Sequence, residues 1–212
     1  MDEKIKRDEG ELYKPVSDEQ LMKELIRAKD LCFKYNSISP LDVENRNKII
    51  NDLIGVVGEN VNIMPYFWCD YGYNIEIGDN FFSNHNCVML DCAKIKFGSN
   101  VFIGPDCGFY TAGHPIKISE RNTGYEYSKP ITVGNNVWIG GGVKVMPGVT
   151  IGDNTTIGAG SVVTRDIPSG VIAVGNPCRV IRQINERDEQ FYYEERPIDK
   201  EDLAREAALR NK

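Results

Sequence analysis

Two histidines occur in the 212 residues, His85 and His114, and His114 lies in a polar, glycine-bearing stretch running from 110 to 130. An imidazole is neutral near pH 7 and can still take a proton, so a loop histidine of this kind is either a general base or a solvated side chain. A base works best when its second ring nitrogen is held by a carboxylate or a backbone carbonyl. Glu120 and Glu126 are the carboxylates of the same stretch. Arg165, Arg179 and Arg182 gather toward the C-terminal side of an acidic chain. Guanidinium groups suit phosphate, although a solvated cap would look the same. Six cysteines show no Cys-x-x-Cys pair and no clustering with histidine, which argues against a disulfide framework or a metal. A catalytic zinc held by three histidines, as in a γ-carbonic anhydrase on a solenoid, is beyond a chain with two. Gly140-Gly141-Gly142 is no phosphate loop, because no helix and no Gly-Lys-Ser/Thr follows.

The elements that must position these residues are announced by a period. Val133, Ile139, Val145, Ile151, Ile157 and Val163 recur every six residues, and most are followed by glycine. Six is the period of neither a helix nor a hairpin strand. It marks a solenoid whose repeats bury their apolar residue by stacking, three to a triangular coil of about 18 residues. Gly134-Asn135-Asn136 and Gly152-Asp153-Asn154 supply corner residues that tolerate left-handed backbone. The fifth slot is small or β-branched (Val137, Val143, Val149, Thr155, Ser161), and Cys87 and Cys107 fall on it upstream. Trp138 occupies the sixth slot, shared with Lys144, Thr150 and Thr156, and so faces outward. An outward indole either packs under the external loop or lines a cleft. Asn84 sits at a turn position of its repeat.

Upstream of the period, Ser17 and Gln20 read as a capping box before a helix with Leu21, Leu25, Ala28 and Cys32 on one face, ending near Tyr35. Ser39-Pro40 reads as the start of a second helix, and both helices can cover the open end of the first coil. The expected organisation is an N-terminal helical cap at 1–56, a β-helix at 57–181 interrupted by an external loop at 110–130, and a charged extension at 182–212 with a helix from Asp199 to Arg210. A net charge of −6 and a pI near 5.1 argue against nucleic acid or an anionic membrane as partner. There is no long apolar run, and Met1-Asp2-Glu3-Lys4 does not begin a signal peptide, so a cytoplasmic protein is expected.

The chain resembles the hexapeptide-repeat acyltransferases, and within them the maltose and galactoside O-acetyltransferases. The likeness runs from Gly10-Glu11-Leu12-Tyr13 to Arg182 through NIEIGDNFFSNHNCVMLD, TAGHP, the repeat from Lys129 to Pro168, and VGNPCRVIR. It implies an all-β solenoid, a left-handed parallel β-helix with a helical cap, assembled as a homotrimer with sites between subunits. It also implies acetyl-CoA as donor and co-substrate, no metal, and direct attack by a hydroxyl of a sugar or glycoside without a cysteine nucleophile. The TAGHP match makes His114 the expected base, with Glu126 as candidate orienter. Asn84, Asp91 and Asp70 fall on the acceptor side. Trp138, Gly141, Ala159, Thr164, Arg165, Arg179 and Arg182 fall along the CoA groove. Galactoside acetyltransferases carry two successive carboxylates where this chain has Asp91-Cys92, and their sugar-binding N-terminal arginine aligns with Leu25. These departures weaken a galactoside assignment and leave the transfer machinery in place. A non-sugar acceptor such as an amino acid or an antibiotic, or a non-catalytic binding module, are the other readings.

Overall fold

Each in-phase aliphatic side chain points inward and stacks on its equivalent one coil away. In the computed structural model, which describes residues 2–210, Ile139 pairs with Ile103 and Ile157, and Val145 with Phe109 and Val163. Three parallel sheets result, one per face of a left-handed prism of about six turns. The first face holds Val56–Val57, Ile75–Ile77, Ile95–Phe97, Ile131–Val133 and Thr150–Ile151. The second runs from Asn62–Ile63 through Phe82–Ser83, Phe102–Ile103 and Trp138–Ile139 to Thr156–Ile157, Val171–Val174 and Arg179–Gln183. The third holds Phe67–Cys69, Cys87–Leu90, Gly108–Tyr110, Lys144–Val145 and Val162–Val163.

The three corners differ in chemistry. Between the first and second faces, Asn60, Asn80, Asn100, Asn136 and Asn154 all take positive φ, between 54° and 58°. Their amides form a ladder, each Nδ2 donating to the next Oδ1 at 2.9–3.1 Å. This corner is structural. The corner between the second and third faces carries Asn84, Gly104, Gly140, Gly141, Gly158 and Ala159, and its backbones approach closely: a Cβ on Gly104 would lie 2.5 Å from Gly141 N.

The third corner, returning to the first face, departs from the expected 18-residue coil. Val57 pairs with Ile77 and Ile77 with Phe97, a step of 20, while Val133 pairs with Ile151, a step of 18. The extra residues enter here, since Cys69 to Ile77 spans eight positions and Val145 to Ile151 spans six. A longer corner frees backbone groups that need partners. Asp91 Oδ1 accepts from the amides of Asp70 (2.9 Å) and Tyr71 (2.8 Å), and Thr111 Oγ1 donates to Leu90 O while accepting from Ala93 N. The wider coils are filled by Phe67, Phe81, Phe97 and Phe109, with Phe97 edge-on to both Phe81 and Phe109 at 5.2 and 5.0 Å.

Helix α1 spans Glu3–Asp8, α2 spans Glu19–Ser37 and α3 spans Val43–Leu53. Ala28, Cys32 and Tyr35 of α2 and Ile50 and Leu53 of α3 share one core with Ile63, Phe67 and Cys69 of the first coil. Two expected caps move by a residue or more. Asp18, not Ser17, caps α2 by accepting from Leu21 N at 2.9 Å, because Ser17 closes a preceding 3-10 turn through its own amide. Asp42, not Ser39-Pro40, caps α3 through Asn45 N. The residues to Arg182 form one compact unit and those from Gln183 a second. The second contains a hairpin of Phe191–Tyr193 with Arg196–Pro197 and a helix, Lys200–Arg210, whose first amides are capped by Asp199. Among the described residues no helix is long and apolar enough to cross a membrane.

Candidate active site

The long interruption of the repeat is the third corner of the third coil. It leaves the wall after Gly108–Tyr110 and returns at Ile131, folding into a hairpin in which Ala112 pairs with Ser128 and Gly113 with Tyr127. A Cβ on Gly113 would lie 2.5 Å from the end of the Tyr127 side chain, so any larger residue there would displace that tyrosine. The next residue, His114, is exposed, and its Nδ1 lies 3.0 Å from the carbonyl oxygen of Tyr125. A carbonyl only accepts, so Nδ1 carries the hydrogen and Nε2 keeps its lone pair. The group that orients the ring is therefore a backbone carbonyl. The Glu126 carboxylate, expected in that role, instead accepts from Tyr13 Oη at 3.1 Å.

Three carboxyls lie in or beside the same corner. Asp91 is fully buried, with Oδ1 on two backbone amides and Oδ2 without a hydrogen-bond partner. Burial pushes its carboxyl up to about 6, against the pull of the Tyr71 amide. Asp70 is half-buried, accepts from Cys92 Sγ at 3.6 Å, and is raised by burial. Glu126 is raised by the same cause, with the Tyr13 hydroxyl and then His114 pulling it down and Asp70 pushing it up. His114, Glu126 and Asp70 thus form one electrostatic neighbourhood. Donors such as hydroxyls find acceptors there.

The other predicted residues lie elsewhere on the prism. Asn84 stands on the second corner, where its Oδ1 accepts from His85 N at 2.8 Å. Gly141 and Ala159 stack on that corner in successive coils, and a Cβ on neighbouring Gly160 would meet nothing within 4 Å, so bare backbone is open to a ligand there. Trp138 is 59% exposed on the second face, in register with Phe102 and, through it, with Phe82. Sequence reading missed that outward aromatic column, although each member directly precedes an inward guide position. Thr164 and Arg165 are exposed on the third corner, below the loop. Arg179 and Arg182 lie on the last strand of the second face, Arg179 donating to Cys178 O at 2.7 Å. A single chain thus places His114, Asp70 and Asp91 on one corner and Asn84, Gly141 and Ala159 on another.

Two family models match, one described as bacterial transferase hexapeptide (six repeats) over residues 130–165, the other as maltose acetyltransferase hexapeptide capping motif over residues 6–58. The chain is 44% identical over 181 residues to the galactoside O-acetyltransferase of Escherichia coli (strain K12), covering 85% of this chain and 89% of that one. A solved galactoside acetyltransferase in complex with coenzyme A superposes with a TM-score of 0.91 at 42% identity, over 94% of this chain and all of the other. A maltose O-acetyltransferase from Clostridium difficile 630 gives a TM-score of 0.85 at 50% identity, over 87% and 98%.

Proposed function

The chain belongs to the maltose and galactoside O-acetyltransferases of the hexapeptide-repeat superfamily, and from that premise we propose that it transfers the acetyl group of acetyl-CoA to a hydroxyl of a sugar or glycoside, with His114 as general base. The observation that carries this reading is the 3.0 Å contact between His114 Nδ1 and the Tyr125 carbonyl oxygen. With Nδ1 spent on the Tyr125 carbonyl, Nε2 is free to take the acceptor's proton as the oxygen attacks. Asp70 and Glu126 supply acceptors for further hydroxyls of a polyol beside it. Bound acetyl-CoA contributes the thioester, which an alcohol can attack directly. The open backbone at Gly160, beside the small residues Gly141 and Ala159, fits an extended pantetheine arm near Trp138, and Arg165, Arg179 and Arg182 offer charge for its phosphates.

Because Asn84, Gly141 and Ala159 stand on the second corner while His114, Asp70 and Arg165 stand on the third, the complete site draws on two copies, the second corner of one against the third corner of the next. A closed ring of three satisfies this at every edge of a triangular prism. Two positions that set this chain apart from galactoside acetyltransferases are turned inward: Cys92 spends its thiol on Asp70, and Leu25 packs against the cluster of Tyr13, Leu21, Tyr71 and Cys92. The test is His114→Ala, assayed by release of free CoA across a panel of sugars, glycosides, amino alcohols and antibiotics. Turnover should fall by about 10²–10⁴-fold with acetyl-CoA affinity unchanged. Near-parent turnover in a folded variant would remove the base assignment.

A further inference from the structure

Tyr13 belongs to the N-terminal arm, yet it is completely buried. Its ring sits in a second small core with Leu21, Tyr71 and Cys92, against Leu25 and Ala112, and Ala112 is at the root of the loop that carries His114. Its backbone makes a reciprocal pair with Glu126: Tyr13 N donates to Glu126 O at 3.0 Å, and Glu126 N donates to Tyr13 O at 2.9 Å. The arm is thus joined by a single antiparallel bridge to the hairpin of 112–113 and 127–128.

The consequence lies in one peptide unit. The N–H of Glu126 and the C=O of Tyr125 belong to the same planar group, which is trans, so they point in opposite directions. Fixing the N–H on the Tyr13 carbonyl therefore aims the C=O at His114 Nδ1, 3.0 Å away. The three groups form a chain, Tyr13 C=O to the 125–126 peptide to the imidazole, in which each bond polarises the next. We propose that Tyr13 is a positioning residue: through this peptide it holds His114 as the Nδ1–H tautomer with Nε2 turned to the acceptor. The proposal rests on the reading of His114 as base and assigns the N-terminal arm a task besides covering the first coil. The hydroxyl of Tyr13 is secondary, since its bond at 3.1 Å goes to the Glu126 side chain and not to the peptide.

With only two histidines in the chain, the test is spectroscopic. In the full-length protein labelled with imidazole ¹⁵N, His114→Ala assigns the signals, and the parent should show His114 protonated on Nδ1 alone. Tyr13→Ala, which removes the ring anchoring the arm, should shift His114 toward the Nε2–H form. It should also lower kcat by about 10–10²-fold, the scale of a misplaced catalytic group, with KM for acetyl-CoA unchanged. Tyr13→Phe, keeping ring and backbone bonds, should restore the parent spectrum and turnover. A single Nδ1–H tautomer in folded Tyr13→Ala, or a parent His114 protonated on Nε2, overturns the proposal. Should Tyr13→Ala not fold, amide exchange in the parent decides: Glu126 N–H should be as protected as the amides of the wall, and exchange at the rate of an open loop would overturn the clamp. Failure of the base assignment would appear separately, as parent turnover in His114→Ala.

Discussion

Asp91 offers a sharp physical test of the corner beside the proposed active site. Its carboxyl is buried and its Oδ2 has no partner, which raises it from the ordinary 3.8 to about 6. A carboxyl whose folded pKa lies above its unfolded value holds its proton more tightly in the folded state. Its ionisation therefore costs stability as pH rises through the window from 3.8 to about 6, and the deficit is constant above it. A shift of this size corresponds to about 3 kcal/mol at neutral pH, at 1.36 kcal/mol per unit. Asp91→Asn cannot ionise, keeps an oxygen for the Asp70 and Tyr71 amides, and leaves an amide nitrogen unpartnered in place of Oδ2. That nitrogen adds a penalty of about 1–3 kcal/mol that does not depend on pH. Urea unfolding of parent and variant at fixed protein concentration, from about pH 4 to about pH 8, separates the two effects. The difference in stability should move by about 2.5 kcal/mol in favour of Asp91→Asn as pH rises, whatever its offset at low pH. A difference that stays flat across that range would refute the burial argument and return Asp91 to the class of ordinary corner carboxylates.

Three further outcomes follow from the same geometry. Asn100→Ala, at φ +58° within the amide ladder, should lose about 2–3 kcal/mol from left-handed strain and two exposed hydrogen bonds, whereas Asn100→Gly should lose about 1 kcal/mol less in the same denaturation experiment. Equal losses would mean that the ladder and not the backbone angle carries the effect. Changing Arg179 and Arg182 together to alanine should weaken acetyl-CoA by about 10–100-fold per lost phosphate contact and leave acceptor KM alone, and equal losses for CoA and dephospho-CoA would exclude contact with the 3′-phosphate. Light scattering should give about three times the chain mass of 23.9 kDa. A monomer that transfers acetyl groups would contradict a site divided between two corners.

The wall of the solenoid was legible in the sequence because its rules are local. Ile139 or Val163 is buried by an equivalent residue one coil away, so each repeat states its own requirement, and a corner asparagine such as Asn136 needs only its own left-handed backbone. The histidine-bearing loop was legible for the converse reason, as the place where the period stops. Helix caps were misplaced by small distances because Ser17 and Asp18 compete for neighbouring amides, and only the geometry of the preceding turn decides between them. The 20-residue step was present in the spacing of Val57, Ile77 and Phe97, but nothing local distinguishes a longer corner from an irregular one.

What only the tertiary structure decided is how the site residues are held and charged. A backbone carbonyl is common to every residue, so no side-chain pattern could single out Tyr125. Its selection over the Glu126 carboxylate goes with a backbone bridge to Tyr13, 113 positions from Glu126. The raised carboxyl of Asp91 likewise belongs to no motif, since burial sums over neighbours brought in by several coils. The placement of His114 on one corner and Asn84 on another follows from the three-sided winding of the chain. A period of six announces three faces, and only the folded prism says which corner each residue occupies.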